Sequence, residues 1–176
     1  MRILALDYAS VGAAAWTAQP RVQTRHFDFC QIAGVPKSKQ AQSHDAIFKA
    51  AFDTVIDLID EAQPDVIAVE KDTGRGYNTI VMFGGFRGMV LLAARERGIR
   101  VISDIDASTA RYLAGVGGGS TKKEVAGTKA RLFFGLPVTL SDDEVDAVVL
   151  HEAVKARLAD ERMQARLKPA RKRRAA

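Results

Sequence analysis

Four carboxylates at three widely spaced places in this chain have the surroundings of a metal site. Asp7 ends the apolar run Ile3-Leu4-Ala5-Leu6, Glu70 ends Val66-Ile67-Ala68-Val69, and Asp143 and Asp146 head the run that continues through Ala147-Val148-Val149-Leu150. The first two read as buried parallel strands that stop at an acid. The third places two acids three apart at the head of an apolar helix, so both project from one face. Carboxylates brought together repel one another and hold their protons more tightly unless cations stand between them. Hard divalent ions such as Mg²⁺ take oxygen ligands of this kind. The chemistry that follows is metal-dependent phosphodiester hydrolysis, which needs an activated water and a stabilised leaving 3′ oxygen. Two Mg²⁺ or Mn²⁺ ions about 3.5–4 Å apart can supply both. Asp7 would bridge the pair from a rigid strand end, Glu70 would hold one ion, and Asp143 and Asp146 the other. Each acid alone has an ordinary explanation, Asp143 as a helix cap and Asp7 as a turn residue. The joint pattern favours a site, because an acid ending an apolar run is costly without a partner.

The elements that must position these acids follow from periodicity and punctuation. Residues 2–7, 13–17 and 24–29 read as three strands, with Gln19-Pro20 as a turn, forming an antiparallel meander. Residues 32–43, with Gly34 and Pro36, are expected to be a loop. Ile47, Phe48, Ala51, Phe52, Val55, Leu58 and Ile59 recur at helical spacing over 44–61, with Ser43 available as N-cap, and Pro64 breaks that helix before the strand 66–70. A glycine-bearing loop over 72–78 follows Glu70 directly. Helices are expected over about 79–97, 109–113, 121–134 and 143–167, with a strand at 99–103. Thr121 is available to cap the third of these helices, and Ser141 or Asp142 to cap the last. Strands first, then alternating helix and strand, predict an α/β fold of the ribonuclease H type. No internal repeat and no second compact domain is evident.

Composition narrows the classes. At 176 residues the chain suits one domain, and 47% hydrophobic against 27% charged is an ordinary globular balance. The single Cys30 permits neither an internal disulfide nor a cysteine-based zinc site, which fits a reducing cytoplasm. No stretch approaches the roughly 20 apolar residues of a membrane span, and Asp7 interrupts any leader-like start. His26, His44 and His151 stand apart with no metal-ligand spacing between them, so His151 is expected to pack, and Trp16 to lie in the core. Charge is uneven. From Lys155 onward there are nine Lys/Arg against Asp160 and Glu161, whereas residues 1–154 carry 17 basic and 19 acidic residues. A basic end on a mildly acidic body suits a nucleic-acid partner, or a solubilising tail. The expected division is a nuclease domain over 1–155 and a basic helix end and tail over 156–176.

The same residues carry a family resemblance over roughly 1–155. Leu4-Ala5-Leu6-Asp7-Tyr8-Ala9-Ser10, Ile67-Ala68-Val69-Glu70, Gly88-Met89-Val90-Leu91-Leu92-Ala93-Ala94, Ala114-Gly115 with Lys122-Lys123-Glu124-Val125, and Asp143-x-x-Asp146-Ala147 resemble the RuvC family of Holliday junction resolvases in order and spacing. The resemblance implies a ribonuclease H-like fold, with a mixed five-stranded sheet of antiparallel meander plus parallel strands, flanked by helices. It also implies a homodimer that nicks four-way DNA junctions symmetrically with Mg²⁺ or Mn²⁺. By position Asp7, Glu70, Asp143 and Asp146 match its catalytic acids, and Lys122 its active-site lysine, with Lys123 a close competitor. Two departures stand out. Asp7-Tyr8-Ala9-Ser10 replaces the family's usual Asp-Pro-Gly-Ser, which suggests a phage or divergent branch. Thr73 stands where an aromatic commonly wedges into the junction, leaving Tyr77 as a substitute.

Further candidates for DNA contact are Lys71, Arg75, Tyr77, Lys122 and Lys123. Backbone amides and a lysine at a helix start can hold a phosphate, although Gly117-Gly118-Gly119 lacks the ending of a Walker loop. Gly84, Gly85 and Gly88, amid Phe83, Phe86, Met89, Val90 and Leu92, would allow a close helix pair across a twofold axis. Three other readings remain: a ribonuclease H-fold enzyme acting on flaps, branched DNA or RNA–DNA hybrids; a non-catalytic junction-binding protein; and an actin-like phosphotransfer fold. The missing glycine after Asp7 counts against the last.

Overall fold

In the computed structural model, which describes residues 1–18, 21–71, 77–118 and 120–167, five strands form one sheet. They are β1 (Ile3–Asp7), β2 (Val11–Trp16), β3 (Gln23–Asp28), β4 (Val66–Glu70) and β5 (Arg100–Ile105), in the order β3-β2-β1-β4-β5. The first three form the antiparallel meander, and β4 and β5 join β1 in parallel. The turn residues Gln19-Pro20, the loop residues Thr73 and Arg75, and the basic residues from Lys168 onward lie outside the described residues.

Helices cover both faces, and strand alternation decides which residues meet which helix. Leu4 and Leu6 of β1 and Ile67 and Val69 of β4 face one core with α1 (Phe29–Ile32), α2 (His44–Ala62) and α3 (Tyr77–Glu96). Ile3, Ala5, Val66 and Ala68 face the other, with α4 (Ala107–Leu113), α5 (Lys123–Phe134) and α6 (Asp142–Leu167). Trp16 is buried, as its sequence setting suggests. The expected loop over 32–43 instead contains the end of α1, capped by Asp28, and a 3-10 segment, Lys37–Gln42. Gly34 and Pro36 are accommodated between these two short pieces rather than preventing them. Ser43 stands at the head of α2 without a side-chain capping bond. Thr121 likewise does not cap α5; its hydroxyl accepts the Gly118 amide, and Lys122 takes the N-cap position.

The glycines of α3 divide their roles. A Cβ on Gly85 would lie 2.1 Å from the Phe48 ring, so this glycine permits close α2–α3 packing. Gly84 and Gly88 face open space. No described helix is long and apolar enough to cross a membrane.

Candidate active site

Asp7 and Glu70 end adjacent parallel strands whose register pairs Leu6 with Val69. Strand alternation carries both carboxylates to the face shared by Ile3, Ala5, Val66 and Ala68, which is the face that α6 covers. A register irregularity between Ala68 and Glu70 lets Glu70 pair with Ile105, so the ladder is disrupted beside the acid. The β1–β2 connection closes tightly here. A Cβ on Gly12 would lie 2.3 Å from the Asp7 carbonyl oxygen and 3.0 Å from the Phe27 ring, so only glycine fits against Asp7.

The helix that brings the other two acids is anchored at its first turn by a capping box. The Ser141 hydroxyl accepts the Glu144 amide at 3.2 Å, and the Glu144 carboxylate accepts the Ser141 amide at 2.9 Å. β3 holds the same turn, since Thr24 donates to Glu144 at 2.8 Å and the His26 ring lies 3.8 Å from Asp143. Burial alone would raise the Glu144 carboxyl, but the Ser141 and Thr24 hydrogen bonds and nearby His26 bring it below its usual value. Val145 and Val149 bury against the sheet, leaving Asp143 and Asp146 at the head of α6, beside the strand ends.

Electrostatics show that these acids form one group. Asp7 is raised to about 7, first by burial, then by Glu70, Asp146 and Asp143, with Lys123 opposing. Glu70 is also raised to about 7, by burial and then Asp146, with Arg111 and Lys123 opposing. Half-buried carboxylates acting on one another this way call for a cation. The nearest is Lys123, whose ammonium lies 2.7 Å from Asp146. Lys122 takes the N-cap position of α5 without a side-chain capping bond, and both lysines are exposed; among the described residues it is Lys123 that pairs with one of these acids. A cleft of about 240 Å³ opens beside Lys123 and Asp146, between α5 and α6, with Thr128 and Arg131 on its wall.

Among the described residues no three carboxylates, imidazoles or thiols stand close enough together to enclose an ion already. The donor set nonetheless fits hard divalent ions: every acid offers oxygen, and two of the four are held near neutrality by burial and mutual repulsion. Lys71, the next residue after Glu70, is exposed, with its amide on the Ile105 carbonyl. Tyr77 begins α3, but its side chain, like all of Arg75, lies outside the described residues. Two neighbours escape the sequence reading. Arg111 on α4 acts on Glu70 only because β5 pairs beside β4 and delivers α4 to that strand end. His26 reaches Asp143 only because the meander places β3 against the start of α6. The available signals, an Asp106-x-x-Thr109 cap leading into Arg111 and a lone histidine in a strand, carry no mark of the site.

The family model described as crossover junction endodeoxyribonuclease RuvC matches residues 25–151, well over half the chain. RuvC from Thermomicrobium roseum is 35% identical over 100 residues, covering 56% of this chain and 60% of the relative. RuvC from Chloroflexus aggregans is 35% identical over 95 residues, covering 53% and 57%. The chain therefore matches less than two thirds of the length of either relative. Among solved structures, Thermus thermophilus RuvC in complex with Holliday junction substrate superposes with a TM-score of 0.72 at 14% identity, covering 91% of this chain and 96% of that one. The yeast mitochondrial Holliday junction resolvase gives 0.56 at 14% identity, covering 94% and 84%. At such identities the likeness is one of fold, the ribonuclease H-like fold expected from the order of strands and helices. Sequence match and fold together lead to one conclusion: the chain belongs to the RuvC family.

Proposed function

We propose that this protein is a divalent-metal-dependent, structure-selective endonuclease that resolves four-way DNA junctions. The observation that carries the reading is the pair Asp7 and Glu70, half-buried at neighbouring strand ends, both pushed up to about 7, and faced by Asp143 and Asp146. Asp7, Glu70, Asp143 and Asp146 would hold two Mg²⁺ or Mn²⁺ ions, which when bound supply Lewis acidity and neutralise charge on the scissile phosphate. Asp7 and Glu70, fixed by the sheet, set the position of the phosphate relative to the attacking water. Water adds to phosphorus in line and the P–O3′ bond breaks. The departing 3′ oxygen takes up a proton, leaving 5′-phosphate and 3′-hydroxyl ends. Lys123, 2.7 Å from Asp146, is the lysine placed to move onto the phosphate as its charge grows. Lys122, Lys71, Arg75 and Tyr77 lie along the chain on either side of this centre and would meet the flanking backbone, with Arg111 a further cation beside Glu70.

Symmetric cutting requires two copies, and α3 offers a face for the pairing. Ile80, Leu91 and Leu92 are exposed on it, alongside Gly84 and Gly88, which a second helix could approach closely. The lone thiol Cys30 is buried and unpaired, which suits the reducing cytoplasm of a bacterial or phage-infected cell.

The test is a nicking assay on four-way junction, flap, duplex and RNA–DNA hybrid substrates with Mg²⁺ and with Mn²⁺. Wild type is expected to cut the junction at symmetric positions. Asp146→Asn should bind the junction but not cut it. Undiminished Mg²⁺-dependent nicking by that variant overturns the assignment.

A further inference from the structure

At the end of the sheet away from the carboxylates, two adjoining clefts of about 350 Å³ and 510 Å³ share Val22 and Lys155 as a common wall. Arg162 lines the first and Arg21 the second, so three cations lie along one continuous surface. Among the described residues that line it the carboxylate is Glu152, and both of its oxygens are paired. One oxygen pairs with the His151 ring at 3.0 Å and the other accepts from Lys155 at 2.8 Å. His151 is itself buried and bonded through its other ring nitrogen to the Thr17 hydroxyl at 2.9 Å. This chain of contacts holds the Lys155 ammonium against Glu152, while the side chain stays 62% exposed. Preorganised in this way, the ammonium loses little further freedom on meeting an anion. The Arg162 guanidinium touches the Met1 sulfur at 3.3 Å and has no carboxylate at ion-pair distance among the described residues.

We infer that this strip of Arg21, Lys155 and Arg162 is a second nucleic-acid contact, which holds backbone phosphates of a DNA arm remote from the cutting site. Lys155 and Arg162 are seven residues apart on α6, so they lie on one face about 10 Å apart along the axis. That span matches roughly three nucleotide steps of one strand. The strip begins about 13 Å along α6 from Asp146, half a turn round the helix from it at about 100° per residue, and reaches about 24 Å along the axis at Arg162, so it meets an arm that passes over the other side of α6 rather than the duplex at the scissile phosphate. Its cations meet backbone phosphate rather than base edges, so it carries no sequence information and acts through salt-sensitive attraction. The inference rests on the proposed function for its ligand class and adds a surface that the carboxylate centre does not include.

The measurement is fluorescence anisotropy of the full chain with a long-armed four-way junction and with a duplex of equal length, without divalent ions, from 50 to 300 mM KCl. Replacing Lys155 and Arg162 by Gln should flatten the slope of log K against log [salt] by about 2 and weaken binding about tenfold or more at 0.1 M. Arg162→Gln alone, which leaves the Glu152 network intact, should give about half that change in slope. An unchanged slope in the double variant overturns the inference. So does an equal change in a Lys39→Gln/Lys49→Gln variant, which removes the same charge elsewhere. Failure of the junction reading appears differently, as equal wild-type affinity for junction and duplex, and the slope comparison on duplex still decides this inference.

Discussion

Asp7 and Glu70 are half-buried acids whose protons are held more tightly in the folded chain than in the unfolded one, at about 7 against ordinary values of 3.8 and 4.5. Protonation therefore favours the fold: their contribution is fully present below about pH 4 and is lost as pH rises through about 7. In divalent-free buffer Tm should fall by several degrees between pH 5.5 and pH 8. Asp7→Asn, neutral throughout, should be the more stable protein at pH 8 by about 2 kcal/mol and should show a flatter profile. Added Mg²⁺ should restore the wild-type midpoint at pH 8 but not raise that of the variant as far; a variant with the wild-type profile would contradict the buried pair. The two lysines separate in the same way. Lys123→Met should lower the single-turnover nicking rate about 10²–10³-fold, because among the described residues it is this ammonium that pairs with Asp146. Lys122→Met, removing an exposed N-cap side chain, should change it less than tenfold, and single-turnover assays of both settle the assignment.

At the scale of elements, the first turn of α6 decides where two of the four acids stand. The Ser141–Glu144 capping box and the Thr24 bond to Glu144 tie that turn to the loop before it and to β3. Ser141→Ala should cost about 1 kcal/mol, read as a lowered Tm. It should also weaken Mn²⁺ binding, measured by calorimetry, because Asp143 and Asp146 lose their fixed platform. A variant with lowered Tm but undiminished Mn²⁺ affinity would show that the cap stabilises the helix without placing the acids. The start of β2 makes a comparable demand, since Gly12 is the one residue type that lets the chain close over the Asp7 carbonyl.

For the molecule as a whole, the sheet order sets the geography. Asp7 and Glu70 emerge side by side because β1 and β4 are neighbours in the centre of the sheet, and α6 runs from them towards the opposite end. One helix thus links the carboxylate centre with the cationic strip. The outer face of α3 stands apart from both. Leu91→Glu combined with Ile80→Glu should convert a dimer to a monomer in sedimentation experiments, since both side chains are exposed and neither contributes to the buried cores. Paired junction cleavage should then give way to single nicks. A variant that stays dimeric would place the interface elsewhere.

Much of this protein was legible in its residues. The two apolar runs ending in Asp7 and Glu70, the Asp143-x-x-Asp146 pair, the meander followed by alternating elements and the helix expected over 44–61 and found at His44–Ala62 are consequences of local periodicity and of the cost of leaving an acid at the end of an apolar strand. Local pattern also placed a lysine near the site, but could not choose between Lys122 and Lys123. That choice depends on the angle at which α5 meets α6, where a rotation of one residue turns a side chain by about 100°. The contacts of Arg111 with Glu70 and His26 with Asp143 join segments tens of residues apart. The β5 irregularity and the clefts around Lys155 likewise depend on how strands pair and helices cross. Sequence by itself therefore determined which carboxylates end the apolar runs and which elements carry them. Only the tertiary structure decided which cations stand beside them, because that is set by packing between elements rather than by order along the chain.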